Sequence, residues 1–274
     1  MNIDSKTLHE RLLSMVKQLH EFCVAHNISY YMLGGTALGA KRHKGFIPWD
    51  DDVDIGMPRK DYDTFISLRD ELPDNLEISY YLNTKNSPMH YDKLVDKNTT
   101  LIEKFYNYLV EGLYIDIFPL DGAFKNNRKD IRRRKKIYSL FQRICWHCNT
   151  EKKKGLLRKT YKLYCGLFNL TKMHRKMEKL MTKVPCESGD SIANFLGAYK
   201  DKECVPIACF LEPTLYKFED TELYGPKNIE QYLTCLYGDY MKLPPVEERV
   251  FKHGFAYLNL DLPYCEYKGV STND

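Results

Sequence analysis

The stretch that decides the fold reads Gly34-Gly35-Thr36 and, after a short basic segment, Trp49-Asp50-Asp51-Asp52-Val53-Asp54-Ile55-Gly56. Four carboxylates within five residues repel one another, so a folded chain holds them together only around a cation. Apolar residues press in from both sides: Phe46 and Ile47 before the run, Val53 and Ile55 within it. Residues 52–55 alternate polar and apolar, the pattern of a half-buried strand, predicted over 50–57. On such a strand Asp52 and Asp54 share a face and Asp51 points the other way, to water. Asp50 shares the metal face by parity but lies before the strand, where ligation and an outer supporting role are equally open. Two carboxylates on one face suit a hard divalent cation, Mg²⁺ or alternatively Mn²⁺, shared with substrate phosphates. Gly34-Gly35 complements this, because glycines let the backbone approach a phosphate closely and leave N–H groups free at a helix start.

Outward from this centre, a capping-box pair at Thr7 and Glu10 and the spacing of Leu12, Val16, Leu19 and Cys23 predict a helix over 7–26. Ile28 to Leu33 reads as a short strand, and Thr36 to Lys41 as the start of a helix. Pro58 and residues 61–71 predict a further helix ended by Pro73; residues 76–82 read as a strand. Leu113-Tyr114-Ile115-Asp116-Ile117-Phe118 alternates again, closed by Pro119, with Asp121-Gly122 as a turn. Its lone carboxylate, Asp116, could complete a metal cluster or accept a proton from an attacking hydroxyl. Residues 125–183 read as helical, with Ile137, Leu140, Phe141 and Ile144 on one stripe and Leu156 to Leu170 in a second stretch. Residues 186–274 are turn-rich. The whole is an α/β (α+β) chain with a mixed sheet flanked by helices: a core over 1–124, a basic helical elaboration over 125–185 and a C-terminal part, in one domain of 274 residues.

The net charge of +4 hides an asymmetry. Residues 125–183 hold 20 Lys/Arg against 3 Asp/Glu, while the rest of the chain holds 21 against 34. Such a split implies two surfaces with different partners. The basic stretch fits a solvated helix face or an anionic membrane surface; nucleic acid binding would bring interleaved aromatics or a known module, and neither is evident. The nine cysteines are irregularly spaced, and no export signal or membrane-spanning run accompanies them, so free thiols in the cytoplasm are expected. Cys145, His147 and Cys148 are spaced closely enough for zinc, but no second ligand pair follows and the segment reads as an amphipathic helix.

The fuller string is more specific. Leu33 to Gly39, Arg42-His43 and Gly45 to Ile55 resemble the LicD family of choline-phosphate transferases, related to the fukutin-type transferases within the nucleotidyltransferase superfamily. Lys93 to Thr99, Tyr114 to Gly122, Tyr237-Gly238-Asp239-Tyr240-Met241 and Pro244-Pro245 extend the resemblance over roughly residues 8–253. It implies a nucleotidyltransferase-like fold that moves phosphocholine from CDP-choline to a sugar hydroxyl of a lipid-linked or surface glycan, releasing CMP. It also implies a position at the inner face of the membrane. By position, Asp52 and Asp54 match the metal pair, Asp116 the third carboxylate, and Gly34, Gly35 and Thr36 the turn beside the nucleotide phosphates. Arg42, His43 and Lys93 fall in matching motifs and are polar enough to meet phosphate, although a structural histidine and an ordinary lysine are the simpler readings. Tyr80, Tyr81, Tyr237 and Tyr240 are candidates for a quaternary-ammonium cage by abundance alone. The rival readings are ribitol- or glycerol-phosphate transfer, nucleotidyl transfer, and a non-catalytic membrane-surface or RNA-binding protein.

Overall fold

The computed structural model describes residues 4–80, 89–104, 109–148, 169–251 and 254–269. Helix α1 (Ser5–Ala25) leads into β1 (Tyr31–Met32), α2 (Gly34–Arg42), β2 (Asp54–Pro58) and α3 (Arg59–Ser67). Strands β3 (Leu76–Ser79), β4 (Asp92–Asp96), β5 (Thr100–Glu103) and β6 (Tyr114–Ala123) follow, then helices α4 (Arg128–Cys148) and α5 (Leu170–Met181). The remaining elements are β7 (Ser191–Ala193), β8 (Cys204–Pro206), the hairpin β9 (Thr214–Phe218) and β10 (Thr221–Gly225), α6 (Ile229–Tyr237) and β11 (Phe255–Asn259).

One mixed sheet orders its strands β1-β2-β6-β4-β3, with β7 and β8 extending it from the far half of β6. Strand β2 runs parallel to β6, while β4 and β7 run antiparallel to it. The two faces of the sheet separate by residue parity. On β6, Ile115, Ile117 and Asp121 face the layer that holds α1 and α3, while Asp116 and Phe118 face the opposite side. Helix α1 is held by its apolar stripe of Leu8, Leu12, Met15, Val16, Leu19 and Phe22, all buried. A buried leucine of this kind is worth about 1.5–3 kcal/mol, so Leu12→Ala or Leu19→Ala loosens the helix that backs the sheet.

Several boundaries differ from the sequence expectation. The side chain of Asp4, not the Thr7/Glu10 pair, caps α1, accepting from the Lys6 N–H at 3.4 Å. The strand expected over 50–57 begins only at Asp54, so Asp50, Asp51 and Asp52 lie in the loop before it. Asp51 is 3 % exposed, so it does not point to water. Pro119 does not close β6. The Asp116 N–H donates to the Val53 carbonyl, so N–H groups of even-numbered residues point towards β2 and that of residue 119 would point the other way. On that side β4 pairs only as far as Ile117 and β7 starts at Asp121, leaving a gap where no donor is needed. Asp121-Gly122 is therefore strand, not turn.

The C-terminal part is more than turns: β7 and β8 join the main sheet and β11 pairs with β5. The stripe on α4 is as expected, with Ile137, Leu140 and Ile144 buried. The second leucine-rich stretch lies outside the described residues apart from its end, Leu170, which opens α5.

Asp92 of β4 sits under α3 with the Tyr62 hydroxyl beside it, and burial pushes its carboxyl up to about 7. A folded-state value above the unfolded one means that protonation favours the fold. Stability from this group is complete below about pH 4 and is lost as pH rises towards 7. Asp92→Asn keeps an acceptor for Tyr62 without the charge. The variant is expected to flatten the fall in melting temperature between pH 4 and 7, measured by thermal melts across that range.

Candidate active site

Helix α2 starts at Gly34 because the preceding residue, Leu33, is extended and Gly34 takes φ +48°, a conformation that penalises any side chain. Its N–H donates to the Tyr232 hydroxyl of α6 at 2.9 Å. A Cβ on Gly34 would lie 2.9 Å from Oδ2 of Asp54, and one on Gly35 would collide with the Asp50 carboxylate. The two glycines are therefore the floor against which two of the four aspartates rest. Tyr232→Phe would leave the Gly34 N–H without its acceptor, at a cost of about 1–3 kcal/mol. The expected result is a lower melting temperature with a turn that no longer holds Asp54, read as a fall in turnover larger than the fall in folded fraction.

Thr36 does not face the cavity. Its hydroxyl accepts the Asp54 N–H at 2.9 Å and so fixes the first residue of β2. The Asp50 loop is held from two other directions. His9 of α1 donates from Nε2 to the Asp50 carbonyl at 2.7 Å and stacks on Phe46. The Phe46 N–H donates to Glu219 in the β9–β10 turn at 2.9 Å.

Strand register then assembles a row. Asp54 on β2 is paired with Asp116 on β6, and Asp116 with Lys93 on β4. A cavity of about 460 Å³ opens on this face. Gly34, Gly35, Asp50, Asp52, Asp54 and Asp116 line it together with the rings of Tyr91, Phe118, Phe141, Tyr199 and Tyr237. Asp51 is not part of the lining, so the alternation read from the sequence survives even though the strand starts later. Asp54 has its carboxyl pushed well above the usual range, by burial first and then by the charges of Asp52, Asp116, Asp50 and Glu203, all acting in the same direction. Among the described residues, the group of three whose ligand atoms all lie within 4.8 Å of one another is Asp50, Asp51 and Asp52. Asp52, Asp54 and Asp116 share the cavity without closing that tightly. The donor set is entirely carboxylate oxygen, which fits a hard divalent cation rather than a thiol- or imidazole-seeking metal. Cys145, His147 and Cys148 form no such group; they lie on α4, with Cys145 at the cavity wall.

Three of the polar residues singled out from the sequence stand outside the lining. Lys93 is 5 % exposed, and its ammonium donates to Glu111 at 2.6 Å and lies 3.5 Å over the Tyr114 ring. Burial works against the charge on this ammonium, but Glu111, Glu103 and then its neighbour Asp116 outweigh burial and raise its pKa, which ties Lys93 to the site through Asp116. Arg42 donates from Nε to Nε2 of His43 at 2.9 Å and from Nη1 to the Tyr240 carbonyl at 3.0 Å. His43 is thereby an acceptor, and burial followed by the Arg42 charge lowers its pKa.

Glu203 escaped the sequence reading. It lies in a plain Lys-Asp-Lys-Glu turn before β8 and carries no motif. Burial raises its carboxyl to about 7, against the hydrogen bond it accepts from the Tyr199 N–H at 2.8 Å. The only local signal was Gly197-Ala198, small residues that make room: a Cβ on Gly197 would overlap the Glu203 carboxylate. Tyr199 likewise enters the site only through folding, its ring 5.1 Å from that of Tyr237 in a T-shaped pair.

Comparison with known proteins agrees with this geometry. The family model described as LicD/FKTN/FKRP, nucleotidyltransferase domain, matches residues 27–146, which include the glycine turn, the aspartate run and Asp116. The lipopolysaccharide cholinephosphotransferase LicD of Haemophilus influenzae is 30% identical over 257 residues, covering 88% of this chain and 92% of that protein. The human ribitol 5-phosphate transferase FKRP is 44% identical over 45 residues, covering 16% of this chain and 9% of that protein. An uncharacterized Rickettsia typhi protein is 30% identical over 138 residues, covering 48% of this chain and 43% of that protein. A match at this identity along nearly the full length of both chains, with the family model over residues 27–146, places the chain in the LicD family.

Proposed function

We propose that this protein transfers a phosphate-linked alcohol from a CDP-linked donor to a glycan hydroxyl, and that the alcohol is choline. The observation that carries the choline reading is the mixed lining of one cavity. Five aromatic rings share it with carboxylates that include the buried Glu203. A quaternary ammonium is attracted to ring faces and to negative charge, whereas ribitol and glycerol are neutral polyols that need hydrogen-bond partners instead. The similarity to the Haemophilus LicD supports phosphocholine, and the similarity to FKRP supports the wider class of phosphate-linked alcohols.

Asp52 and Asp54 are the residues to hold Mg²⁺, with Asp50 beside them, and the bound ion supplies charge neutralisation at the donor diphosphate. Gly34, its own N–H held by Tyr232, makes the turn that brings the Gly35 N–H and the positive end of α2 to the phosphates. Asp116 accepts the proton of the acceptor hydroxyl as its oxygen bonds to the phosphorus bearing choline. The phosphorus–oxygen bond to CMP breaks, and CMP leaves with the electron pair. Lys93, Arg42 and His43 position these groups from behind.

The test follows CMP release from CDP-choline, CDP-ribitol and CDP-glycerol, with lipopolysaccharide core oligosaccharide as acceptor. Acceptor-dependent release from CDP-choline, abolished by EDTA and restored by Mg²⁺, is expected. Preference for CDP-ribitol or CDP-glycerol would overturn the choline assignment. Pyrophosphate release from CTP would point to nucleotidyl transfer instead. Tyr237→Ala is expected to raise KM for CDP-choline about ten-fold while changing that for CDP-glycerol little.

A further inference from the structure

The basic run Arg132-Arg133-Arg134-Lys135-Lys136 does two separate things. Arg133 and Arg134 turn inward. Arg133 bridges Asp130 at 2.7 Å and donates to the Gly122 carbonyl at 2.7 Å; Arg134 bonds Asp201 at 3.0 Å and the Phe124 carbonyl at 3.1 Å. They staple α4 to β6 and to the turn before β8. Arg132, Lys135, Lys136 and Arg143 lie on the opposite side of α4 and are exposed, as are Arg175 and Lys176 on α5. None of these six is in an ion pair among the described residues, and no exposed residue of α4 or α5 is acidic. The stripe on α4 ends at Trp146, a large aromatic side chain left 61% exposed. The same helix walls the cavity with Phe141 and Cys145, so the site and the cationic face are borne by one helix.

We propose that the outer face of α4 and α5 docks on an anionic lipid bilayer, with Trp146 at headgroup depth, and holds the cavity beside the membrane. Charge complementarity identifies the occupant. A surface of exposed cations without carboxylates is repelled by its own kind and attracted to anionic headgroups, each Lys or Arg near the surface strengthening binding about five-fold. A tryptophan beside such cations matches the membrane interface, where its ring is half in apolar surroundings and its N–H meets water. Single-stranded nucleic acid would call for several stacking rings between the cations, and this face has one, at its end. Among the described residues no helix is long and apolar enough to cross a membrane.

The experiment is co-sedimentation of the full chain with phosphatidylcholine vesicles and with vesicles containing about 30 % phosphatidylglycerol. Partitioning onto the anionic vesicles is expected to be at least about 100-fold stronger at 0.1 M salt, and to fall more than ten-fold at 0.5 M salt. Arg132→Gln, Lys135→Gln, Lys136→Gln and Arg143→Gln combined are expected to weaken it by about 100-fold or more, with CMP release to a water-soluble acceptor unchanged. Trp146→Ala removes the blue shift of tryptophan emission that vesicles induce. Equal partitioning onto both vesicle types, insensitivity to salt, or tighter binding to single-stranded RNA than to anionic vesicles overturns the proposal. The salt and lipid comparisons use the unaltered chain, so misfolding of a variant cannot obscure them. Vesicle binding requires neither donor nor metal, so its failure is distinct from failure of the choline-transfer reading.

Discussion

Asp54→Asn is expected to lower CMP release by about a thousand-fold or more while the metal-free protein melts no lower than the wild type. The loss follows from removing a carboxylate whose bound cation would offset several kcal/mol of developing charge. The preserved or raised melting temperature follows from the electrostatics of the free protein. Burial and the charges of Asp52, Asp116, Asp50 and Glu203 all disfavour ionised Asp54, so deleting its charge relieves repulsion in the folded state. Mg²⁺ is expected to raise the melting temperature of the wild type and to leave that of the variant unchanged. Asp51→Asn is the control. Asp51 is buried but does not line the cavity. A small effect there assigns the metal to the cavity carboxylates; a loss equal to that of Asp54→Asn assigns it to the tighter group Asp50, Asp51 and Asp52. Near-wild-type turnover in Asp54→Asn would sink the metal assignment altogether.

Arg59→Ala is expected to cost about 3–5 kcal/mol and to lower the melting temperature by roughly 10 °C. Arg59 opens α3 and meets the Asp121 carboxylate through two nitrogens, at 2.9 and 2.6 Å, while a third reaches Glu178 of α5 at 2.9 Å. Glu178 in turn lies 2.8 Å from His90, three residues before Lys93. Asp121 is only 1% exposed, and burial already raises its carboxyl against the opposing effect of Arg59. Without Arg59 its folded-state value rises further above the unfolded one. The extra instability is therefore smallest near pH 4 and grows as pH rises past neutrality. Urea melts at pH 5 and pH 8 would show the difference. Adding Asp121→Asn to Arg59→Ala should recover a good part of the loss, because it removes the stranded charge. A variant as stable at pH 8 as the wild type would show that the bridge contributes nothing net.

Much of the fold centre was legible. The alternation of Asp52 to Ile55 and of Tyr114 to Phe118 showed two strands each carrying a carboxylate, because alternating burial is a local pattern. The amphipathic stripe of α1 and that of α4 were equally plain. Strand ends were less so. Pro119 looks like a stop until the gap between β4 and β7 removes the need for a donor at that position. The Thr7/Glu10 pair looked like a cap until Asp4, closer to the first free N–H groups, took the role.

The sequence by itself determined that Asp52 and Asp54 share a parity close after a glycine turn, because both follow from residue spacing. It also determined the chain's family and the charge of residues 125–183. Only the tertiary structure decided the row Asp54–Asp116–Lys93, since register between strands far apart in the chain is set by packing on both faces of the sheet. It alone brought Glu203, Tyr199 and Tyr237 against the aspartates, and withdrew Lys93, Arg42 and His43 from the cavity into contacts of their own. It also divided one basic run into inward staples and an outward face. A run of like charges has no direction until a helix wraps it around an axis and a core claims one side.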